Sequence, residues 1–266
     1  MLSRLPKIIS QEILFGGHLQ ALGSVALVWL PALVFQIKFS AWILLAFYLA
    51  FYSIYFFDRL LGLKKDTNKY LALHKKRAPF ILFISLGLAL LLFFRFKLLI
   101  FGCLVIILGF LYPLFFKNLT KKIPLFKNIF VALFFASLVF FPFSHFTILA
   151  GFLGLLVFLK AILMQIILDL KDEKEDKRNG LLTLPVILGK EKTLTLLKPI
   201  IFLVSFFLPL LLSIITNQKF FFYLSSLVFI DLMSWFLVKK NNYQAYFLQA
   251  SQFLFWLILL LIVKII

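Results

Sequence analysis

Acid is scarce in this chain: ten Asp and Glu stand against 28 Lys and Arg in 266 residues. Cysteine is scarcer still. With Cys103 alone, an intramolecular disulfide and a CxxC metal site are both excluded, and the residue reads as a small core side chain. Charged residues of both signs make up only 14%, where soluble domains carry about 25%. Also missing are a short-period repeat and a signal-peptide cleavage pattern after the first apolar run, which therefore reads as a retained helix.

What fills the gap is apolar. Hydrophobic residues reach 64%, against roughly 45–50% in soluble domains, and they fall in runs near the roughly 20 residues needed to cross a bilayer core of about 30 Å. Nine such runs are expected, at about 13–35, 41–57, 79–94, 98–116, 126–141, 147–168, 195–215, 220–238 and 245–263. The expected fold is thus all-α: a polytopic membrane protein forming one integral membrane domain over residues 1–266. Pro31, Pro113, Pro142, Pro199 and Pro209 fall in or beside these runs, as membrane helices tolerate when neighbours satisfy the freed backbone groups.

A formal charge of +18 would point to nucleic acid in a soluble protein, but here its placement decides the reading. Arg4 and Lys7, seven basic residues between 58 and 78, Lys117, Lys121, Lys122 and Lys127, six between 169 and 193, and Lys239 with Lys240 fall on one side of the nine-span arrangement. Only Lys38, Arg95, Lys97, Lys219 and Lys264 fall on the other. The positive-inside rule then puts the amino terminus in the cytoplasm and the carboxy terminus outside.

The few acids are concentrated. Asp58, Asp66, Asp169, Asp172, Glu173, Glu175, Asp176 and Glu191 lie in two inner segments, mixed with Lys and Arg, whereas the inner segment 117–127 has four Lys and no acid. If the helix that ends the sixth run continues for two turns, Asp169, Asp172 and Asp176 share about a 60° sector of one face. Carboxylates gathered so closely call for a cation, and Mg²⁺ takes oxygen ligands of this kind together with substrate phosphate. The alternative is a solvated loop whose acids pair with Lys171, Lys174, Lys177 and Arg178. Asp58 and Asp66 are eight residues apart, about 80° around a helix, and share a face more loosely. Acids for a metal beside bases for phosphate oxygens form the composition of a diphosphate site.

Lys160 and Asp231 lie inside expected spans, where a charge costs a few kcal/mol, about +2.5–3.5 on insertion scales, and is a functional candidate by default. Nine residues separate Lys160 from Asp169, which puts it on the opposite helix face; interhelical pairing, snorkelling or a place on a transport path all remain open. His18 and Gln20 are polar near the inner end of the first span, either lining a chamber or meeting headgroups.

Asp169-x-x-Asp172-x-x-x-Asp176, followed by Gly180, Thr183-Leu-Pro185 and Leu188-Gly189, resembles the second aspartate-rich motif of the UbiA-type intramembrane prenyltransferase superfamily. The first motif of that family, Asn-x-x-x-Asp-x-x-x-Asp, is matched less closely: Ile54 stands at the Asn, Gly62 at the second acid, and Asp66 four residues further on. Asn68, Arg77 and Pro79 are similar to the elements that follow it. The Asp-Gly-x-x-Ala-Arg of CDP-alcohol phosphotransferases is missing.

The resemblance implies a nine-helix bundle with a lateral, lipid-open chamber and motif regions at about 52–79 and 165–192. It implies Mg²⁺ held by Asp58, Asp66, Asp169, Asp172 and Asp176, which are also the expected catalytic residues. Arg59, Lys65, Asn68, Arg77, Lys177 and Arg178 would contact the diphosphate. The implied activity moves an isoprenoid group from a prenyl diphosphate to a hydrophobic aromatic or quinone-precursor acceptor, with the active site on the cytoplasmic side of a bacterial inner membrane. Tyr52, Tyr55, Phe56 and Phe57 stand as cation–π partners for an allylic cation, or else as lipid-facing aromatics. A membrane transporter, or a non-catalytic UbiA-like protein, is the alternative that the altered first motif leaves standing.

Overall fold

Apolar runs that must satisfy every backbone N–H and C=O without water have one local solution, the helix. A computed structural model of the chain describes residues 17–62, 76–141, 147–242 and 244–265, and among them there is no strand. The helices are α1 (His18–Val34), α2 (Ala41–Gly62), α3 (Ala78–Arg95), α4 (Leu99–Leu119), α5 (Phe126–Val139) and α6 (Ile148–Arg178). They continue with α7 (Leu184–Leu188), α8 (Lys190–Thr216), α9 (Lys219–Lys239), α10 (Gln244–Ala250) and α11 (Gln252–Ile265).

Each of the nine expected runs coincides with a helix or a broken pair. By length and composition, however, six helices among the described residues are sufficient to cross a membrane: α2, α3, α4, α6, α8 and α9. A seventh span results if α10 and α11, bent by 58° at Ser251, count as one. At 17 and 14 residues, α1 and α5 are shorter than a straight crossing requires. Pro113 lies in a π-helical turn, Tyr112–Phe116, and Pro199 precedes another, Leu203–Phe207. Proline removes an intrahelical donor, and a widened turn accommodates the loss without ending the span.

The described chain divides into two compact units, one built from residues up to Val25 with Phe39–Phe115, the other from Ala26–Lys38 with the residues from Phe116 onward. In the first, α2 packs against α3 and α4. Small residues set the approach: Ser53 and Ser85 share a hydrogen bond of 2.8 Å, and Gly102 lies against the face of Phe93. Phe47 meets Phe93 edge-on at 5.1 Å. The outward side chains of α3 and α4, Phe83, Phe94 and Ile100 among them, are more than two-thirds exposed and apolar, as a surface solvated by acyl chains requires.

In the second unit α6 is the axis, in contact with α5, α7, α8 and α10. Leu163, Ile166, Ile167 and Leu170 of α6 are buried with Leu194, Leu197 and Ile201 of α8 and Val228 and Val238 of α9. This packing holds the charged end of α6 on a rigid element rather than on a loop.

Candidate functional site

The helix that carries the second acidic segment starts on a capped turn, with Thr147 Oγ1 accepting from the Ala150 N–H at 3.1 Å. It runs without interruption for 31 residues. Its apolar part ends near Leu168 and the hydrogen bonding continues through the acids, so Asp169, Asp172 and Asp176 do lie along one helix. Lys177 and Arg178 occupy its last turn and are exposed, where cations complement the negative end of the helix dipole. Termination follows from Gly180 at φ 68°. Leu181 donates to the Asp176 carbonyl at 2.9 Å and Gly180 to that of Lys177 at 3.1 Å, the paired bonds of a Schellman cap. Thr183, fully buried, and Pro185 then open the short α7, and Gly189 at φ 80° separates it from α8.

Two of the three aspartates turn inward. Asp169 and Asp176 are 4% and 5% exposed, while Asp172, a step of about 60° around the helix, is exposed to solvent. Between the buried pair sits Lys127 of α5. Its Nζ lies 2.9 Å from Asp169 Oδ1 and 2.8 Å from Asp176 Oδ2. Asn128 donates from Nδ2 to the other oxygen of Asp169 at 2.8 Å, and its own Oδ1 is buried without a hydrogen-bond partner. The partner of these acids is therefore a lysine from another helix, not the neighbouring Lys171, Lys174, Lys177 or Arg178; Lys171 lies over the Tyr246 ring at 6.0 Å.

Lys127 is placed by its backbone as well. Its N–H donates to Thr120 Oγ1 at 3.0 Å. Leu125 adopts a left-handed conformation, φ 60°, that L-residues other than Asn and Asp rarely take, at a cost of about 1–2 kcal/mol. It donates to the Leu182 carbonyl at 2.9 Å, and Leu182 returns a bond to the Thr120 carbonyl at 3.0 Å. The turn before α5 is thus tied to the segment that follows the acids.

In the first unit, Asp58 and Arg59 lie half-buried in the last turn and a half of α2, and Gly62 is its final residue. Ile54 is buried against Gly109 of α4, which explains an apolar side chain at that position. Arg77 is exposed at the start of α3, with Pro79 in the first turn. Lys65, Asp66 and Asn68 lie outside the described residues. Among the described residues no group of three or more Asp, Glu, His or Cys side chains is arranged to hold a metal ion.

Along α2, Tyr48, Tyr52 and Phe56 stack at centroid distances of 6.2 and 5.5 Å, and His18 of α1 stacks on Tyr52 at 4.6 Å while hydrogen-bonding the Tyr48 hydroxyl at 2.5 Å. Tyr52 and Phe56 are buried, so neither is a lipid-facing aromatic. His18 is part of this aromatic stack.

A family model for the UbiA prenyltransferase family matches residues 73–259, more than two-thirds of the chain. The chain belongs to that family. It is an integral membrane protein and, by family, a prenyltransferase. The match to the family includes the Asp169–Gly189 segment and begins after Asp58 and Asp66.

Solved UbiA structures share the fold. A UbiA homolog from Aeropyrum pernix K1 in its apo form superposes with a TM-score of 0.70 at 12% identity, over 92% of this chain and 98% of that one. A UbiA homolog from Archaeoglobus fulgidus, solved bound to GPP and Mg²⁺, gives 0.62 at 17% identity, over 94% and 99%. A structure reported for digeranylgeranylglyceryl phosphate synthase gives 0.57 at 18% identity, over 96% and 95%. No curated protein matches the sequence.

The intramembrane charges of this UbiA-family chain pair with each other. Lys160 and Asp231 form a fully buried ion pair. Lys160 also donates to Ser205 Oγ at 2.7 Å, and Asp231 accepts from Gln249 at 3.1 Å and Gln252 at 2.5 Å. Five helices, α6, α8, α9 and, on either side of their break, α10 and α11, meet in this network. A transport path would have to draw on charges that are already neutralised and hydrogen-bonded.

Proposed function

We propose that this protein transfers an isoprenoid group from a prenyl diphosphate to a hydrophobic aromatic or quinone-precursor acceptor, in a Mg²⁺-dependent reaction at the cytoplasmic side of a bacterial inner membrane. The observation that carries the reading is the uninterrupted passage of α6 from apolar span into Asp169, Asp172 and Asp176, ending on Lys177 and Arg178. A diphosphate headgroup anchored there keeps its prenyl tail beside the apolar helices.

The donor chemistry fits the ion. Asp172 and Asp58 are carboxylates with access to solvent, and oxygen donors suit Mg²⁺, which keeps several waters and adds substrate phosphate; Asp66 is the further candidate of the first segment. Bound Mg²⁺ would offset negative charge growing on the departing diphosphate. Lys177, Arg178, Arg77, Arg59 and Lys65 supply charge-assisted donors to the phosphate oxygens, with Asn68 as a neutral one. Tyr52 and Phe56 offer ring faces of the kind that stabilise a cation in a desolvated site. The distribution of Lys and Arg supports the cytoplasmic placement of both acidic segments.

The test is binding and turnover of a labelled prenyl diphosphate by the detergent-purified protein, with and without Mg²⁺. Binding that requires Mg²⁺ and is lost in Asp172→Asn is the expected result, and an equal loss in Asp66→Asn shows the altered first segment to be active. A well-folded protein that binds no prenyl diphosphate of any chain length overturns the reading.

A further inference from the structure

Asp169 and Asp176, two of the three acids of the second segment expected to hold metal, already face a cation of the chain itself. Both oxygens of Asp169 are engaged, Oδ1 by the Lys127 ammonium at 2.9 Å and Oδ2 by the Asn128 amide at 2.8 Å. Asp176 Oδ2 holds the same ammonium at 2.8 Å. All three charged side chains are at least nine-tenths buried. Asp172, on the same helix, is exposed and outside this cluster.

The ammonium is not there by the chance of a long flexible stem. Lys127 is held at its backbone by Thr120, in a turn that contains a left-handed Leu125 and is bonded back to Leu182. A buried ion pair is retained only where its hydrogen bonds are satisfied. Here the chain accepts an unfavourable backbone conformation at the turn that delivers the lysine. A divalent ion placed among the same oxygens would meet the ammonium as a like charge in a site of low dielectric.

We propose that Lys127 is a built-in counter-cation of the second acidic segment, withholding Asp169 and Asp176 from metal and leaving Asp172 as the metal-directed acid of that segment. Lys127 is a positioning residue: it acts through the two carboxylates it fixes. This rests on the prenyl-transfer reading only in the identity of the metal and its diphosphate partner. The charge arrangement itself belongs to the fold of the second unit.

The experiment counts bound Mn²⁺, an EPR-visible stand-in for Mg²⁺, on the full chain in detergent, with and without inorganic pyrophosphate. Lys127→Met is expected to bind one more Mn²⁺ per chain than the unmodified protein, and Lys127→Arg, which restores the charge, to return the count to its original value. Asp172→Asn is expected to remove more bound Mn²⁺ than Asp169→Asn does. A folded Lys127→Met protein with an unchanged Mn²⁺ count overturns the proposal. So does an Asp169→Asn protein that loses as much Mn²⁺ as Asp172→Asn, and this comparison decides the matter if Lys127→Met fails to fold. If the unmodified protein binds no Mn²⁺ with pyrophosphate, the prenyl-transfer reading fails separately; a Mn²⁺ ion gained in Lys127→Met still supports the counter-cation, and none gained overturns it.

Discussion

Replacing Lys160 with Met removes the cation paired with Asp231 and leaves a fully buried carboxylate with the amides of Gln249 and Gln252 as its remaining donors. Breaking a buried pair from one side costs about 3–5 kcal/mol, because the other charge stays behind uncompensated. At about 2–4 °C per kcal/mol for a chain approaching this size, the melting temperature should fall by about 6–20 °C. Adding Asp231→Asn removes the stranded charge, and the double variant should regain much of the loss, since neutral replacement of a buried pair is often tolerated. The chain's single thiol, half-buried Cys103, makes labelling by a thiol-reactive fluorophore a direct reporter of unfolding in detergent. Below both melting temperatures, Mg²⁺-dependent binding of prenyl diphosphate should be unchanged, because Lys160 and Asp169 are nine positions apart and face opposite sides of α6. A double variant no more stable than Lys160→Met alone would refute the charge argument. Loss of diphosphate binding at an unchanged melting temperature would put Lys160 on the functional path instead.

Two further perturbations test the fold around the site. Gly102→Ala places a Cβ under 3.0 Å from the Phe93 ring and should lower stability by about 1–3 kcal/mol, the range for overpacking a filled interface; a melting temperature equal to that of the unmodified protein would show that α3 and α4 are less closely packed. Gly180→Ala forces an L-residue into the left-handed cap of α6, at about 1–2 kcal/mol, and circular dichroism melts in detergent should show the corresponding loss.

The helical runs were readable because lipid leaves the backbone no alternative, and every apolar run expected from the sequence coincides with a helix or, for the last, a broken pair. Their ends were not readable in the same way. An apolar run stops at its first charges, whereas intrahelical hydrogen bonding does not: α2 continues through Asp58 and Arg59 to Gly62, and α6 passes ten residues beyond Leu168 to Arg178. The same reasoning, run forward, put the three aspartates on one face. The break at Ser251 between α10 and α11 had no such signal, since neither Gly nor Pro marks it. It coincides instead with the side chains of Gln249 and Gln252 turning to Asp231.

The partner of the acids lay beyond any local pattern. Lys127 is 49 residues from Asp176, in a segment whose four lysines and lack of acid made it look like a contrast to the site rather than part of it. One local misfit does point to it. Lys127 is the second residue of α5, where the helix dipole disfavours a cation, and a residue set against its own helix in a buried position must be answered by charge from elsewhere. The scarcity of acid narrows the choice: the two acidic segments hold eight carboxylates, and of these Asp169 and Asp176 are the pair that lies one above the other, seven residues apart, on a helix packed against α5. A basic residue at a helix start, an apolar run after it, and a pair of acids two turns apart on a contacting helix are the local marks of the ion triad that Lys127 forms with Asp169 and Asp176.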